Sequence, residues 1–272
     1  MADDVQRRDA LMAASTFTTM LGMGFWTESA LAADAKPTVT VLITGASRGI
    51  GIEFVKQYTA RGYTVIAAAR DPAKAADLQA LSKANKNINI ERMDVLDHAS
   101  IDALAAKLKG KPIDILVNNA GIGGGGVNQV FGKINYAVFN DVMKTNVEGP
   151  LKISEAFIDN VAASGMKKIM MVSSSQGSIA SVRAPSLYFY RASKSALNMV
   201  TVNLAKAVKD KGIIVGMVAP GATDTDFMIE VRGRIPLGKP DERTAGMMAQ
   251  IDAFTMEKSG QFFEWNGEVV TW

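Results

Sequence analysis

The chain has 272 residues, 48% of them hydrophobic and 21% charged, and a formal net charge of +3. That size fits one large α/β domain, and so small a net charge with no long basic run argues against a nucleic-acid partner. The absence of cysteine excludes disulfides, thiolate catalysis and cysteine-ligated zinc, and the single histidine, His98, has no second imidazole with which to build a metal site.

Residues 1–35 differ from the rest and predict a leader. Arg7-Arg8 precedes a mildly apolar stretch from Ala10 to Trp26, and Ala30-Leu31-Ala32 puts small residues where a signal peptidase reads. The stretch is short for a membrane span, so no stable membrane anchor is expected. Paired arginines before a weakly hydrophobic core resemble a twin-arginine export signal, which implies a periplasmic protein cleaved after Ala32. Asp3, Asp4 and Asp9 stand against that reading. The alternative is a cytoplasmic extension that is retained.

From Thr38 the pattern changes. Apolar, β-branched runs at 39–43, 64–69, 88–92, 113–117, 168–173 and 213–219 predict strands buried on both faces. Between them, 51–61, 73–84 and 100–109 predict amphipathic helices, with His98 solvated near the start of the last. Strand–helix alternation over 36–272 predicts a single doubly wound parallel sheet, of the Rossmann type, with helices on both faces. Gly123 to Gly126 reads as a flexible loop.

The first strand runs straight into Thr44-Gly45-Ala46-Ser47-Arg48-Gly49-Ile50-Gly51 and then a helix. Glycines there permit a tight turn and close backbone approach to a pyrophosphate at the helix N-terminus. Gly45, Ser47, Arg48, Gly49, Ile50 and Gly51 are therefore candidate cofactor contacts. The second strand ends in Arg70, where an NAD enzyme usually places an acid to bind the adenosine ribose. Arg48 and Arg70 together suit a 2′-phosphate through charge-assisted contacts, so NADP(H) is expected rather than NAD. Asp71, followed by Pro72, reads as a helix cap.

Asp94-Val95 follows the third strand, and Asn118-Asn119-Ala120-Gly121 the fourth. Ser174 lies within Ser173-Ser174-Ser175-Gln176-Gly177, and downstream Tyr190-Arg191-Ala192-Ser193-Lys194 has the form Y-x-x-x-K. With T-G-x-x-x-G-x-G, this set in this order resembles the short-chain dehydrogenase/reductase family over residues 38–272. The stretch Gly260 to Gly267 looks like its compact C-factor-like and sniffer-like carbonyl reductases. The resemblance implies NADP(H)-dependent hydride transfer between nicotinamide and a small carbonyl or secondary alcohol. It adds Asp94, Val95, Asn118, Ala120 and Gly121 to the cofactor contacts, and Pro220-Gly221 as the turn lining the nicotinamide pocket. Thr223 and Thr225 then reach the carboxamide or pyrophosphate, or cap the next helix.

The chemistry also follows from the residues. Tyr190 and Lys194, at i and i+4, share a helix face. A phenol with a reference pKa near ~10 is a poor acid–base at neutral pH, and a nearby ammonium is expected to lower it. Ser174, which alone keeps the S-x-x-G spacing to Gly177, is expected to hold the substrate oxygen. The resemblance implies that Lys194 also holds the nicotinamide ribose and that Asn146 anchors a water in a proton relay. Residues 229–240 are the expected substrate lid. Helices over 135–163 are a dimer face in some relatives, and a homo-oligomer and a monomer both stay open. Two other functions compete: a non-catalytic NADP redox sensor, and a sugar-nucleotide epimerase or dehydratase. The first could lose Tyr190 or Lys194, and the second uses a different glycine spacing and a longer C-terminal domain.

Overall fold

The apolar runs become strands of one sheet in a computed structural model that describes residues 39–272. The expected leader, with Arg7-Arg8 and Ala30-Leu31-Ala32, lies outside the described residues. Strands β1 (Thr40–Thr44), β2 (Thr64–Ala69), β3 (Ile88–Arg92), β4 (Ile115–Asn118), β5 (Lys168–Val172), β6 (Ile214–Ala219) and β7 (Phe262–Glu264) pair in the order β3-β2-β1-β4-β5-β6-β7. Every pairing is parallel.

Helices α1 (Gly49–Ala60), α2 (Ala76–Ala84), α3 (His98–Lys107), α4 (Tyr136–Met143), α5 (Gly149–Ala156), α6 (Ile158–Ala162), α7 (Tyr188–Ala207) and α8 (Pro240–Ala253) cover the two faces. Successive strand residues point to opposite faces, which is why the runs are apolar throughout. Val41, Ile43 and Met170 pack with Phe54, Tyr58 and Met247 of α1 and α8. Leu42, Ile169 and Met171 pack with Leu104, Ile153 and Leu197 of α3, α5 and α7. Each such side chain removed from water contributes roughly 1.5–3 kcal/mol, so the sheet is held from both sides.

Three features depart from the sequence reading. The edge strand β7 is only three residues long, too short for periodicity to reveal, and is closed by a turn in which Val270 N–H donates to Phe262 O at 2.9 Å. The helical region 136–162 is interrupted by a π-helical turn, Lys144–Glu148, which carries Asn146. Residues 123–126 form no loose loop: Gln129 Nε2 donates to Gly123 O and Gly125 O, and Asn128 Nδ2 to Gly124 O. Asp71 caps as expected, accepting from Ala73 N–H. His98 is half-exposed beside Glu148, 2.9 Å away. No described helix is long and apolar enough to cross a membrane.

Candidate active site

The sheet order reverses at β1, which pairs β2 on one side and β4 on the other. A crevice opens outside the carboxyl ends of the strands at such a point, and it receives ligands in open α/β sheets. The glycine turn occupies it. Gly45 and Gly49 have φ of 64° and 57°, and a Cβ on Gly51 would lie 2.1 Å from Gly45 O, so no other residue fits there. Thr44 Oγ1 accepts from Asn119 N–H and Ala120 N–H at 2.9 and 3.0 Å, and Asn119 Nδ2 donates to Thr44 O. Asn119 was not among the expected site residues, yet it joins the two loops.

Arg48 precedes α1 and offers no side-chain cap, so the helix N-terminus keeps its amides for an anion. Ala46 N–H donates to Ala68 O at 3.0 Å, which brings the turn to the end of β2, where Arg70 is exposed. Ser47 and Ile50 are half-buried in the same turn. Arg48 lies 3.8 Å from Asp226, with both side chains largely exposed. At the end of β3, Asp94 Oδ1 accepts from Leu96 N–H, and Val95 O sits 2.8 Å from where a Gly149 Cβ would be. The Asn118 carboxamide turns into the core and donates to Ser154 Oγ at 3.2 Å, so only its main chain faces the crevice. After β6, Gly221 has φ of 65°, Thr223 Oγ1 donates to Pro220 O, and the Thr225 methyl packs against Gly49.

Tyr190, Lys194 and Ser174 meet where β5 ends against α7. Ser174 stands near enough to the Tyr190 phenol to pull its pKa down modestly, and its Oγ accepts from Gln176 N–H at 3.2 Å. Of the neighbouring serines, Ser173 is committed elsewhere: its Oγ donates to Asn198 Oδ1 at 2.6 Å. Tyr188 packs its ring on Phe131, away from this cluster. Lys194 Nζ donates to Val172 O at 2.9 Å and lies 5.7 Å from the Tyr190 ring centroid. The position of a Gly121 Cβ would be 3.7 Å from that ammonium and 3.2 Å from Asn146 Oδ1. Fully buried Asn146 accepts from Ile122 N–H and donates to Ile122 O and Ser193 Oγ.

The electrostatics correct one expectation. Burial pushes the Tyr190 phenol up to about 12, with Ser174 pulling modestly the other way. Burial also pulls Lys194 down to about 8. The ammonium therefore does not lower the tyrosine here: it is engaged by a carbonyl, and loss of water disfavours both charged forms.

The stretch just before the expected lid, 229–240, also reaches this cluster. A 3₁₀ turn, Asp226–Val231, sets Phe227 over the site with its ring centroid 5.3 Å from that of Tyr190. Gly123 faces it, and a Cβ there would be 3.2 Å from Phe227 Cζ. Glu230 Oε2 accepts from Gly126 N–H at 3.0 Å, tying this turn to the glycine loop. Arg232 pairs with Asp224. Met247 and Met248 are core residues.

The short chain dehydrogenase family model matches residues 39–235. This chain belongs to that family. It is 33% identical to 1-hydroxy-2-glutathionyl-2-methyl-3-butene dehydrogenase of Rhodococcus sp. (strain AD45), over 86% of this chain and 99% of that one. The NADPH-bound carbonyl reductase from chicken fatty liver superposes with a TM-score of 0.79 at 32% identity, covering 86% of this chain and 99% of the other. The carbonyl reductase Sniffer of D. melanogaster gives 0.80 at 25% identity, covering 86% and 100%. The chain is accordingly an oxidoreductase, and its seven-stranded parallel sheet with helices on both faces is that of a short-chain dehydrogenase.

Proposed function

We propose that the protein is an NADP(H)-dependent reductase of small carbonyl compounds, with Tyr190 as proton donor, Ser174 holding the carbonyl oxygen, and Lys194 holding the cofactor ribose. The observation that carries this reading is Tyr190 with Ser174 acting on its phenol and Lys194, one helical turn on, with its Nζ 5.7 Å from the ring centroid. The crevice fits the cofactor: glycines where a Cβ would clash, an N-terminus without a side-chain cap, and exposed Arg48 and Arg70 beside it. When bound, the nicotinamide supplies or accepts the hydride. Reduction leaves an oxyanion that needs a proton, and a phenol pushed up to about 12 still carries one at neutral pH. Ser174 donates to the same oxygen as its charge develops. The Asn146 carboxamide is spent on protein partners, so a water-anchoring role falls to its main chain.

The test is NADPH oxidation followed by absorbance with a panel of aldehydes, ketones, quinones and steroids. Turnover of at least one is expected. NADPH binding with no turnover of any of them overturns the reading in favour of a redox sensor.

We further propose export of the folded protein to a periplasm, supported by Arg7-Arg8 before a modest apolar stretch and by Ala30-Leu31-Ala32. Cell fractionation and sequencing of the mature N-terminus test it. Cytoplasmic protein retaining residues 1–32, or periplasmic delivery unchanged after both arginines become lysine, refutes it.

A further inference from the structure

Helix α7 carries both Tyr190 and Lys194, and its N-terminus has no local cap. Leu187, the residue before it, adopts φ of 52° and has no polar side chain to offer. The first amides of a helix lack intrahelical acceptors and require one from elsewhere. The acceptor comes from far upstream. Gln129, at the end of the 3₁₀ turn Gly126–Gln129, places Oε1 2.8 Å from Phe189 N and 3.4 Å from Tyr190 N. Its Nε2 donates to Gly123 O at 2.8 Å and Gly125 O at 3.1 Å. Only 3% of Gln129 is exposed.

We propose that Gln129 is a positioning residue that fixes the catalytic tyrosine from its main-chain side and locks it to the loop facing the substrate lid. The inference rests on Tyr190 being the proton donor. A glutamine has two acceptor sites and two amide donors, and all four are used here. The amide orientation is set by its surroundings, because the reverse would point N–H at N–H and oxygen at two carbonyls. The loop it holds is packed without slack. A Cβ on Gly124 would lie 2.9 Å from Val142 Cγ2 and 3.3 Å from Phe189 Cδ2, while Gly123 abuts Phe227. One side chain thus joins the first turn of α7, the glycine loop and, through Gly123, the ring that covers Tyr190. Movement of that first turn displaces the phenol from Ser174, and misplacement of a reacting group by about 1 Å costs on the order of 100-fold in rate.

The test compares Gln129→Leu and Gln129→Glu with wild type in NADPH-dependent turnover, KM, and NADPH binding by fluorescence. Gln129→Leu loses all four bonds at similar volume; kcat is expected to fall about tenfold or more, with NADPH affinity within about twofold because the glycine turn and both arginines are untouched. Near neutral pH, Gln129→Glu keeps an acceptor for the two amides but opposes two carbonyl oxygens without a donor. Protonation of the introduced carboxyl restores one donor, so kcat relative to wild type should climb as pH falls, a profile that a merely structural role does not produce. If Gln129→Leu fails to fold, the pH dependence of Gln129→Glu decides. A folded Gln129→Leu with wild-type kcat, or a flat ratio for Gln129→Glu, overturns this inference alone. A wild-type protein that binds NADPH and reduces no carbonyl overturns the functional reading and this inference with it.

Discussion

The ammonium of Lys194 donates to the carbonyl of Val172, the last residue of β5, at 2.9 Å. Two residues on stands Ser174, so the lysine is anchored on the strand that carries the serine. The turn between them presses on the same helix: a Cβ on Gly177 would lie 2.8 Å from the backbone carbon of Lys194. This contact gives the S-x-x-G spacing a steric reason. The serine and the lysine hold their separation because strand end and helix touch through a residue without a side chain.

Tyr190→Phe is expected to abolish turnover while NADPH binding stays nearly intact, since the ring's packing on Phe227 is kept and only the hydroxyl is lost. Lys194→Ala should damage both turnover and NADPH affinity, and Tyr188→Phe should do little. Steady-state kinetics beside fluorescence titration separates these outcomes. Full activity in Tyr190→Phe refutes the assignment.

Lys194 also makes folding stability depend on pH. Its pKa is 10.5 in the reference state and about 8 in the fold, because burial disfavours the ammonium. Between those values the unfolded chain holds a proton that the folded one has released, so this contribution rises with pH and is lost as pH falls through about 8. Tyr190 acts oppositely and only above about 10, where the folded state retains a proton that the unfolded one gives up. Denaturant unfolding of wild type and Lys194→Met at pH 7.5 and pH 10 isolates the lysine. Wild type should gain about 2–3 kcal/mol on the variant across that interval. A pH-independent difference contradicts it.

Arg48 and Arg70 are expected to select NADPH over NADH. Hydrogen bonds to charged groups contribute roughly 1.5–3 kcal/mol each, so neutralising either arginine should weaken NADPH about tenfold to a hundredfold and NADH little. The Arg48–Asp226 contact, 3.8 Å long and exposed, offers weak competition. Salt should weaken NADPH binding as well. Equal use of both cofactors by the wild-type protein refutes the selection.

Phe227 is expected to shape substrate choice. An aromatic pair contributes about 0.5–1.5 kcal/mol beyond area burial, so Phe227→Ala should raise KM for aromatic carbonyls up to about tenfold. Small aliphatic aldehydes and NADPH affinity should be nearly unaffected. Uniform loss across all substrates indicates collapse of the lid instead.

The sheet and the chemical core were legible in the sequence because each has a dense local signature. A strand buried on both faces is apolar at every position, and Tyr190–Lys194 and Gly45–Gly51 are short-range patterns whose spacing is set by one helical turn or one tight turn. What escaped is nonlocal. Gln129 and Asn119 act on residues about 60 and 75 positions away through single amides, and no pattern in the neighbouring chain marks them. Phe227 is one apolar residue in an irregular stretch, and Asn146 gains its place from a π-helical turn that periodicity does not distinguish from α-helix. The tyrosine's raised pKa was misjudged for a related reason: spacing reveals the neighbouring charge, but desolvation depends on the whole surrounding fold.

The position of β1 has a consequence for biosynthesis. Its first partner follows soon, with Val41 opposite Val65, but its other edge waits for Ile115. At a ribosomal rate of about 5–20 residues per second, synthesis of the intervening segment takes roughly 4–15 s. During that interval Val41, Leu42 and Ile43 present an open, fully apolar parallel edge, the kind of surface on which nascent chains associate wrongly. A chaperone that shields extended apolar segments would have its chief task here, on the first of the described strands to emerge and the one whose second edge waits longest for its partner.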